Sequence, residues 1–579
     1  MTTGAGKPKP AFFLAVLAVV AGLVGLAFYR CNAKKSSSST TTGDKIDIKD
    51  IKKQAGDGSD VQAENPDPNS VTTTKDYSFE PATRLPEVPG TADYKKLGTP
   101  RTVRFAVNVW AGWAPIVWAN QGHKAGKVWK DAKGGEFKLE LVLIDDPVAM
   151  GNTFASGDIH IGWATVDMLP LVVERLKRDP RSMPRVFQQV DWSNGGDGIV
   201  VRDTIKNVSE LRGKTVVLAQ NSPSHYFLLN VLLNGGVQPS EVDMKFTKDA
   251  FQAAAAFNQN KSYAAVVSWA PDIYNLTKAG MGNKMLVSTQ TANKLIADVW
   301  FARADFARDN PEIVESLVRG IFDSIEELKT DDKKQGVAKL MDAFYDLPPG
   351  TASTMLADAH WTNYAENRDF FLNQNSPTNF ERTYNTAFLL YKAIRAVGTK
   401  VEFDQVMDFS VIKKLGAEPK YAEQKNEYEF KFTPTSGIDI NVESAVLTKT
   451  VTINFFPNSY DVFKKMSKDG KPETHYDPNV EITIEEIAKL SGQFGAARIH
   501  IAGHTDSSMR GVADESLVRE LSSRRANSVK EALVNRFKMN PNQFVVAGYG
   551  WDKPADKKDP DNHAKNRRVE VKVVPAEAQ

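Results

Sequence analysis

The chain has 579 residues, of which 41% are hydrophobic and 25% are charged, with a formal net charge of +2. This length exceeds what one hydrophobic core holds together, so we expect two to four domains. A net charge near zero argues against nucleic-acid binding, because no strongly basic field is present to neutralise phosphates. The single cysteine, Cys31, excludes an internal disulfide and a cysteine-rich metal site.

An uncharged segment, Ala11–Tyr29, follows a short leader of residues 1–10. Its length is what a helix needs to cross a bilayer. A cleaved signal peptide is the alternative, although its apolar core is usually shorter. We therefore predict a single N-terminal transmembrane helix at residues 11–29, with residues 1–10 as a cytoplasmic leader.

The predicted membrane helix has one face of small residues: Ala11, Ala15, Ala18, Gly22 and Gly25. Small residues at this spacing let two helices approach closely. A homodimer formed through this helix is therefore one candidate assembly. The same spacing also arises by chance in an Ala- and Gly-rich segment.

Residues 30–98 are typical of a disordered linker. They begin with a Ser and Thr run at residues 36–42 and continue with few aromatic residues. From residue 99 the pattern changes, and short β-rich runs alternate with helical runs to residue 420. The runs are Thr102–Val109, Phe137–Ile144, Ile159–Gly162, Gly198–Arg202, Lys214–Ala219 and Ala264–Ser268, with helical stretches such as Tyr226–Asn234 and Ala250–Asn258. This alternation predicts parallel-type α/β sheets.

Residues 421–447 are polar and are predicted to form a second linker, which leads into a terminal domain at residues 448–579. The predicted elements of that domain are strand Thr450–Phe456, helix Ile482–Phe494, strand Arg498–Ala502, helix Leu521–Phe537, strand Gln543–Ala547 and strand Arg568–Val574. Their order predicts an α+β sandwich.

Four motifs of the terminal domain occur in a fixed order. They are Gly503-His504-Thr505-Asp506 after a strand, Leu521-Ser522-Ser523-Arg524-Arg525-Ala526 at a helix, Gly548-Tyr549-Gly550 after a strand, and Asn566-Arg567-Arg568-Val569-Glu570 at the last strand. This set resembles the OmpA-like (OmpA/MotB C-terminal) peptidoglycan-binding domain. Val518 and Pro457 depart from the family pattern, which commonly has Asn and Asp there.

The resemblance implies a site for the diaminopimelate of a peptidoglycan stem, whose free end presents an ammonium and a carboxylate together. Asp506 is expected to receive the ammonium, and Arg525 to grip the carboxylate with two parallel N–H bonds. Thr505 is a third candidate. The alternative is structural, with Asp506 capping a loop and Arg525 in a surface ion pair. We expect Asn566, Arg567 and Arg568 to position the last strand.

The middle region carries weaker motifs in a consistent order. They are Trp110-Ala111-Gly112-Trp113-Ala114-Pro115, Ala155-Ser156-Gly157-Asp158-Ile159, Asp191-Trp192-Ser193-Asn194-Gly195-Gly196-Asp197-Gly198, Leu211-Arg212-Gly213-Lys214-Thr215-Val216 and Trp269-Ala270-Pro271. Together they resemble the periplasmic substrate-binding proteins of nitrate, sulfonate and taurine ABC importers. This resemblance implies two α/β lobes around a cleft that closes on a small solute. Trp269-Ala270-Pro271 stands where the family has Trp-Glu-Pro, which leaves the solute open between an anion and an amine.

Candidate cleft residues lie where strands end, because open parallel sheets bind ligands at that edge. They are Trp110, Trp113, Thr165, Asp167, Ser222, Ser224, His225 and Trp269. Ser222, Ser224 and His225 stand where a helix begins, so exposed N–H groups there would suit an anion. The alternatives are ordinary helix capping for the serines and hinge or core packing for the tryptophans.

The predicted fold is therefore a multidomain α/β chain: a single N-terminal transmembrane helix, a two-lobed periplasmic-binding-protein-like domain at residues 99–420, and a C-terminal OmpA-like α+β sandwich. We expect an inner-membrane protein, single-pass, with most of the chain in the periplasm. It would bind peptidoglycan and a small solute as a tether, a sensor or a transport-associated binding protein.

A membrane permease remains open as a partner of this binding protein. The alternative function is a non-conducting stator-like or scaffold subunit paired with a multi-span membrane protein. Proton-driven stators need a carboxylate in the span, and Ala11–Tyr29 has none. No cofactor or metal is predicted. No enzyme is predicted either, because no nucleophile elbow, cysteine nucleophile or metal-spaced histidine cluster accompanies the fold.

Overall fold

The computed structural model describes residues 71–82, 85–435, 440–467 and 473–575. The chain divides into two units, Met1–Gln62 and Ala63–Gln579, and the described ranges fall in the second. The predicted leader, the membrane helix at residues 11–29 and the first part of the linker at residues 30–98 lie outside the described residues. Within the described ranges, no helix combines the length and apolarity needed to cross a bilayer.

The middle domain is built on two mixed sheets. Its strands are β1 (Phe79–Glu80), β2 (Thr102–Val107), β3 (Val128–Lys130), β4 (Glu136–Leu143), β5 (Ile161–Thr165), β6 (Pro184–Ser193), β7 (Asp197–Arg202), β8 (Thr215–Ala219), β9 (Asp243–Thr247), β10 (Ala265–Trp269), β11 (Asn283–Ser288), β12 (Ala297–Arg303) and β13 (Ala359–Trp361). The sheet of the first lobe has the order β13-β6-β12-β5-β2-β4-β3. The sheet of the second lobe has the order β1-β9-β8-β10-β7-β11.

The prediction of parallel-type sheets is only partly right. β2, β4 and β5 are parallel, as are β8, β9 and β10. The antiparallel pairs β6–β12 and β7–β11 arise because the chain crosses between the lobes twice. In each pair, one strand carries the chain out of a lobe and the other brings it back.

Helices cover the faces of both sheets. In the middle domain they are Ala114–Ala119, Pro147–Ala155, Leu169–Leu176, Pro223–Asn234, Ala250–Gln259, Asp272–Leu276, Ala304–Asp309, Pro311–Glu327, Asp331–Tyr345, Thr351–Met355, Tyr364–Leu372, Phe380–Ala393, Ser410–Leu415 and Pro419–Ala422. Several begin with proline at the first position, where a missing N–H costs nothing. Asp146 and Asp249 cap two of them by accepting a backbone N–H of the first turn.

Parts of both predicted linkers pack against the domains. In the described part of residues 30–98, β1 pairs with β9, and Arg175 Nε donates to Pro86 O at 2.6 Å. In residues 421–447, Tyr421 and Phe432 are buried. Burying these aromatic side chains removes apolar surface from water, which stabilises the packed segment relative to a solvated coil.

The terminal domain is a four-stranded sheet with two long helices. Its strands are β14 (Leu447–Val451), β15 (Lys465–Met466), β16 (Thr474–His475), β17 (Ala497–Gly503), β18 (Phe544–Gly548) and β19 (Val569–Pro575), and its helices are Val480–Gln493, Glu515–Phe537 and His563–Asn566. The sheet order is β14-β19-β17-β18, with β15 and β16 as a separate hairpin. The first strand begins and ends earlier than the predicted Thr450–Phe456, because its pairing with β19 covers Leu447–Val451.

The terminal domain also contacts the middle domain directly. Val208 N donates to Val446 O at 3.2 Å, and Lys294 N donates to Gln493 O at 3.1 Å. Apolar side chains of the second lobe and of the terminal domain belong to one continuous buried cluster. The two domains therefore share a core in addition to the chain that joins them.

Two glycines let the helix Glu515–Phe537 lie directly on the ends of β17 and β18. A Cβ atom on Gly503 would stand 2.1 Å from Ser522 O, and one on Gly548 would stand 2.4 Å from Arg519 O. Both obstacles are backbone atoms of the helix, which cannot move alone. These glycines therefore set the distance between the strand ends and the helix that carries Arg525.

Replacing Gly503 with alanine should destabilise the terminal domain by roughly 1–3 kcal/mol, the usual cost of overpacking. Hydrogen-exchange mass spectrometry on the full chain should then show lost protection in β17 and the helix Glu515–Phe537. Gly98→Ala is the control, since no atom lies within 4 Å of the added Cβ. Equal protection in both variants would contradict the close approach.

Candidate functional site

The two lobes meet at a hinge formed by the two chain crossings. Ser193 ends β6, Asp197 begins β7, and Thr289 follows β11. Ser193 Oγ donates to Asp197 Oδ2 at 2.7 Å and lies 2.8 Å from Thr289 Oγ1, which in turn accepts from Asp197 N at 3.1 Å. This buried network ties both crossings together at the floor of the cleft.

A cavity of about 30 Å³, partly open to solvent, lies beside this hinge. It is bounded by the ends of strands from both lobes and by the start of the helix Pro223–Asn234. Its lining residues are Asn108, Trp110, Asp145, Pro147, Trp163, Thr165, Asp197, Ala219, Gln220, Ser222, Pro223, Lys248, Asp249, Trp269, Ile296 and Asp298. Four carboxyl groups and three indoles dominate this surface.

A row of polar side chains crosses the sheet of the first lobe at the cavity. Strand register places Asp298 opposite Asp191 on one side and opposite Thr165 on the other. Trp110 Nε1 donates to Asp191 Oδ2 at 3.1 Å, behind the cavity wall. In the second lobe, register sets Trp269 opposite Asp197. The two lobes thus bring acidic groups and indoles to one place.

Glycines of two sequence motifs make room for this arrangement. A Cβ atom on Gly112 would lie 1.5 Å from Asp191 Oδ2, and one on Gly196 would lie 2.4 Å from the ring of Trp110. Any larger residue at Gly112 would displace the Asp191 carboxyl group. The glycines of both motifs therefore leave the space in which Trp110 and Asp191 pack.

The buried carboxyl groups have raised pKa values. Burial raises the pKa of Asp197 to about 7, despite the hydrogen bond from Ser193. Burial likewise raises the pKa of Asp145, despite the hydrogen bond from Val109 N. For Asp191 and Asp298, burial and the proximity of other carboxyl groups raise both pKa values, so the pair retains a proton at neutral pH.

Positive charge is scarce around the cavity. Among the described residues that line it, Lys248 alone is cationic, and its side chain is 57% exposed, 3.9 Å from Asp146. Within the described ranges, no three His, Cys, Asp or Glu side chains are grouped to hold a metal ion. The cavity is therefore an acidic site with its one cation at the rim.

Four of the predicted cleft residues line the cavity: Trp110, Thr165, Ser222 and Trp269. Ser222 Oγ donates to Ala219 O at 2.8 Å and does not cap its helix. Trp269 Nε1 has no hydrogen-bond partner among the described residues. The Thr165 hydroxyl makes no hydrogen bond of ordinary geometry, but it lies near the Asp167 carboxyl group and partly offsets the rise in its pKa.

The other four predicted cleft residues do not line the cavity. Trp113 is fully buried in the core of the first lobe, and its Nε1 donates to Asn108 Oδ1 at 2.7 Å. Asp167 is fully buried beneath the surface, where burial raises its pKa to about 7. Ser224 and His225 are buried on their helix, and the His225 ring packs against Phe246 and Tyr391.

Sequence reasoning missed all four acids of the lining, Asp145, Asp197, Asp249 and Asp298, together with Trp163. Asp145 and Asp249 come just after β4 and β9, so the strand-end rule pointed to them. Asp298 gives no such signal, because it lies at the start of a strand within a hydrophobic run. Only strand register shows that it faces Asp191.

A second polar site lies in the terminal domain, at the end of β17. Asp506 is nearly buried; its Oδ1 accepts from Ser508 N at 2.8 Å, and its Oδ2 lies 3.2 Å from Arg567 Nε. Burial raises its pKa, but the hydrogen bonds from Ser508 and the charges of Arg567 and His563 outweigh that effect. The net pKa is below the ordinary range, so Asp506 is an anion at neutral pH.

Arg525 reaches the same site from the helix Glu515–Phe537. Its Nε donates to Ser459 O at 3.1 Å, and its guanidinium lies 4.9 Å from the centre of the Phe455 ring. Its two terminal NH₂ groups make no hydrogen bond to a residue of the described ranges. Burial lowers its pKa, and the charge of Asp506 opposes that shift, so the two charges act on each other.

Neighbouring residues complete this site. Thr505 Oγ1 has no hydrogen-bond partner in the described part of the chain. Asn566 accepts from Ala555 N and donates to Pro560 O, and Arg568 binds Glu570 and Lys553 O. Arg567 differs from the expected strand-positioning role, because its exposed guanidinium reaches Asp506.

Comparison with known families matches the two described domains separately. Residues 471–568 match the OmpA family, and residues 192–334 match the family described as NMT1/THI5 like. The chain joins an NMT1/THI5-like domain to an OmpA domain. The predicted fusion of a middle α/β domain with a C-terminal OmpA-like domain is confirmed.

Curated relatives cover each domain in turn. The NMT1/THI5-like domain is similar to the taurine-binding periplasmic protein of Escherichia coli K12, with 29% identity over 196 residues, 33% of this chain and 58% of the relative. The OmpA domain is similar to outer membrane protein Omp38 of Acinetobacter baumannii, with 38% identity over 112 residues, 19% of this chain and 28% of the relative. The chain thus spans less than two thirds of either relative.

Solved structures are also similar to the middle of the chain. The alkanesulfonate-binding protein SsuA of Xanthomonas axonopodis pv. citri, bound to MOPS, is 16% identical, with a TM-score of 0.41, over 55% of this chain and 100% of that one. The nitrate-binding protein NrtA of Synechocystis PCC 6803 is 12% identical, with a TM-score of 0.42, over 58% of this chain and 92% of that one.

The buried carboxyl groups of the cleft should make the unliganded protein less stable as pH rises. Burial holds the folded-state pKa of Asp197 near 7 and that of Asp298 well above the ordinary range, so each carboxyl group contributes stability that is complete below the unfolded value of about 3.9 and is lost progressively as pH rises from there through the folded-state pKa. Asp298→Asn should therefore gain in Tm over the parent chain between pH 5 and pH 8. The groups that face this cluster are Asp167, Asp191, Asp197, Asp358, Ser193, Trp110, Tyr274 and the rim residue Lys248.

Thermal unfolding of both proteins across this pH range checks the sign. Asp203→Asn, which removes an exposed acid of the second lobe, should track the parent chain at every pH. A constant Tm difference between Asp298→Asn and the parent would show that Asp298 does not carry the raised pKa.

Proposed function

We propose that this chain is a periplasm-facing envelope protein that binds peptidoglycan through its OmpA domain and a small solute through the cleft of its NMT1/THI5-like domain. It acts as a tether or sensor held at the cell wall. The observation that carries the proposal is the pairing of Asp506, an anion, with Arg525, whose terminal NH₂ groups are unused.

The peptidoglycan part rests on charge and geometry in the terminal domain. A diaminopimelate end presents an ammonium and a carboxylate together. Asp506 offers a carboxylate to the ammonium, and the free edge of Arg525 offers two parallel N–H donors to the carboxylate. Thr505 adds an unpartnered hydroxyl beside Asp506. Arg567 must release Asp506 for the ammonium to bind, which its exposure permits.

The solute part rests on the cavity at the hinge. The chain crosses twice between two lobes, and residues of both lobes line the cavity. A molecule bound there would contact both lobes at once. Trp269 Nε1 supplies a donor that lacks a partner in the described chain, and the Thr165 hydroxyl lines the same cavity. The taurine-binding relative supports a small-molecule ligand of this class.

The membrane anchor at residues 11–29 belongs to the same proposal. Its support is the uncharged sequence of these residues. Binding to the wall fixes the orientation, since everything after the anchor must then face the periplasm. A protein held at both ends suits tethering or sensing better than delivery of solute by free diffusion.

Asp506→Ala and Arg525→Ala should each reduce pulldown of the full-length chain by purified sacculi by at least roughly tenfold. Each change leaves one charge of the ligand unpaired in a largely buried site, and such losses cost several kcal/mol. The measurement is co-sedimentation of detergent-solubilised protein with sacculi at moderate salt.

Arg524→Ala is the matched control for Arg525. It removes the neighbouring arginine, which points outward to Glu520 at 2.6 Å and is 56% exposed. This variant should bind sacculi as the parent chain does. Full retention of both Asp506→Ala and Arg525→Ala would refute the assigned pair.

A further inference from the structure

We propose that the solute of the cleft carries an ammonium group, which binds between the carboxyl groups of Asp145, Asp197 and Asp298 and the indoles around them. This inference rests on the solute-binding half of the proposed function and names its charge class. It departs from the anionic ligands of the two similar solved structures, an alkanesulfonate and nitrate.

The charge balance of the cavity favours a cation. Four lining residues are acids, Asp145, Asp197, Asp249 and Asp298, and Asp191 lies directly behind Asp298. The single lining cation, Lys248, is at the rim, near Asp146. An anion in this cavity would meet carboxyl groups on both lobes and find no buried cation to neutralise it.

The acids come from both lobes. Asp145 and Asp298 belong to the first lobe, after β4 and at β12, whereas Asp197 and Asp249 belong to the second, at β7 and after β9. A cation between them would attract both lobes at once. Without it, closing the lobes brings carboxyl groups together, which costs free energy unless they hold protons.

The aromatic groups favour an organic cation over an inorganic one. Trp110, Trp163 and Trp269 all line the cavity, and indoles are the strongest cation–π partners among side chains. The N–H groups of Trp110 and Trp163 are already used, by Asp191 and by Ile144 O. These two rings therefore offer the ligand only their apolar and π surfaces.

Two unpartnered groups show that the site is built for a ligand and is not a chance cluster of acids. Thr165 is 2% exposed and lines the cavity, opposite Asp298 by register; its Oγ1 makes no hydrogen bond of ordinary geometry, although it lies close enough to Asp167 to lower the pKa of that carboxyl group. Trp269 Nε1, next to Asp197 by register, also lacks an acceptor. A buried polar group without a partner is costly, and a ligand that pairs with it recovers that cost.

The Trp269 N–H group also bears on the rest of the ligand. As a donor without an acceptor, it suits an oxygen atom of the ligand close to the ammonium, because Trp269 lies opposite Asp197. Ser222 and Pro223, at the start of the helix Pro223–Asn234, also line the cavity. A short molecule that carries both an ammonium and an oxygen acceptor would pair with the acids and with this donor.

Calorimetric titration of the full-length chain in detergent tests the charge class. The probes are propylammonium chloride, sodium propanesulfonate, taurine and isethionate, the last differing from taurine by a hydroxyl in place of the ammonium. Calcium chloride represents the inorganic cations. We expect propylammonium and taurine to bind, with taurine at least tenfold tighter than isethionate, and propanesulfonate to show no heat of binding.

Two variants connect the binding to the acids. Asp298→Asn and Asp145→Asn should each weaken binding of the ammonium probes at least tenfold. Asp203→Asn, on the surface of the second lobe, should bind as the parent chain does. Asp145→Asn keeps the acceptor used by Val109 N, so it carries the test even if Asp298→Asn fails to fold.

The outcomes separate this inference from the function on which it rests. Tight binding of propanesulfonate, unaffected by Asp298→Asn, would overturn the ammonium class and leave a solute-binding protein. Binding of calcium alone would overturn it as well. No heat with any probe at millimolar concentration would remove the solute-binding half of the proposed function, and this inference with it.

Discussion

Asp191 and Asp298 lie opposite each other on neighbouring strands, both buried, where the two lobes of the middle domain meet. Two carboxyl groups held out of water in this way cannot both be ionised without a partner. The surroundings keep them there: Trp110 donates to Asp191, and Gly112 leaves space for its carboxyl group. The close packing of Trp110 and the absence of a side chain at Gly112 both accommodate this buried acidic pair.

Much of the terminal domain was predictable from sequence because its signals are local. Gly503, Ser522 and Gly548 are small since backbone and helix approach each other there, so each motif marks its own contact. The predicted pair of Asp506 and Arg525 is close enough for each charge to affect the other. Arg567 was assigned only a structural role, because sequence does not show that a side chain next to a strand folds back to an aspartate.

The cleft was harder to predict because its chemistry depends on register. Asp191 and Asp298 are far apart in sequence, and only the pairing of β6 with β12 brings them together. The strand-end rule placed Thr165 and Trp269 at the cavity, where they lie. Trp113 belongs to the same sequence motif as Trp110, but its side chain is buried in the core. The linker prediction for residues 421–447 missed the burial of Tyr421 and Phe432, because a polar composition does not show that isolated aromatic residues pack against a domain.

The contact of Lys294 with Gln493 lies on the second crossing between the lobes, a few residues before β12. The terminal domain therefore contacts the segment that joins the two lobes between β11 and β12. A displacement of the terminal domain would act on this connecting segment, and so would any change in the angle between the lobes.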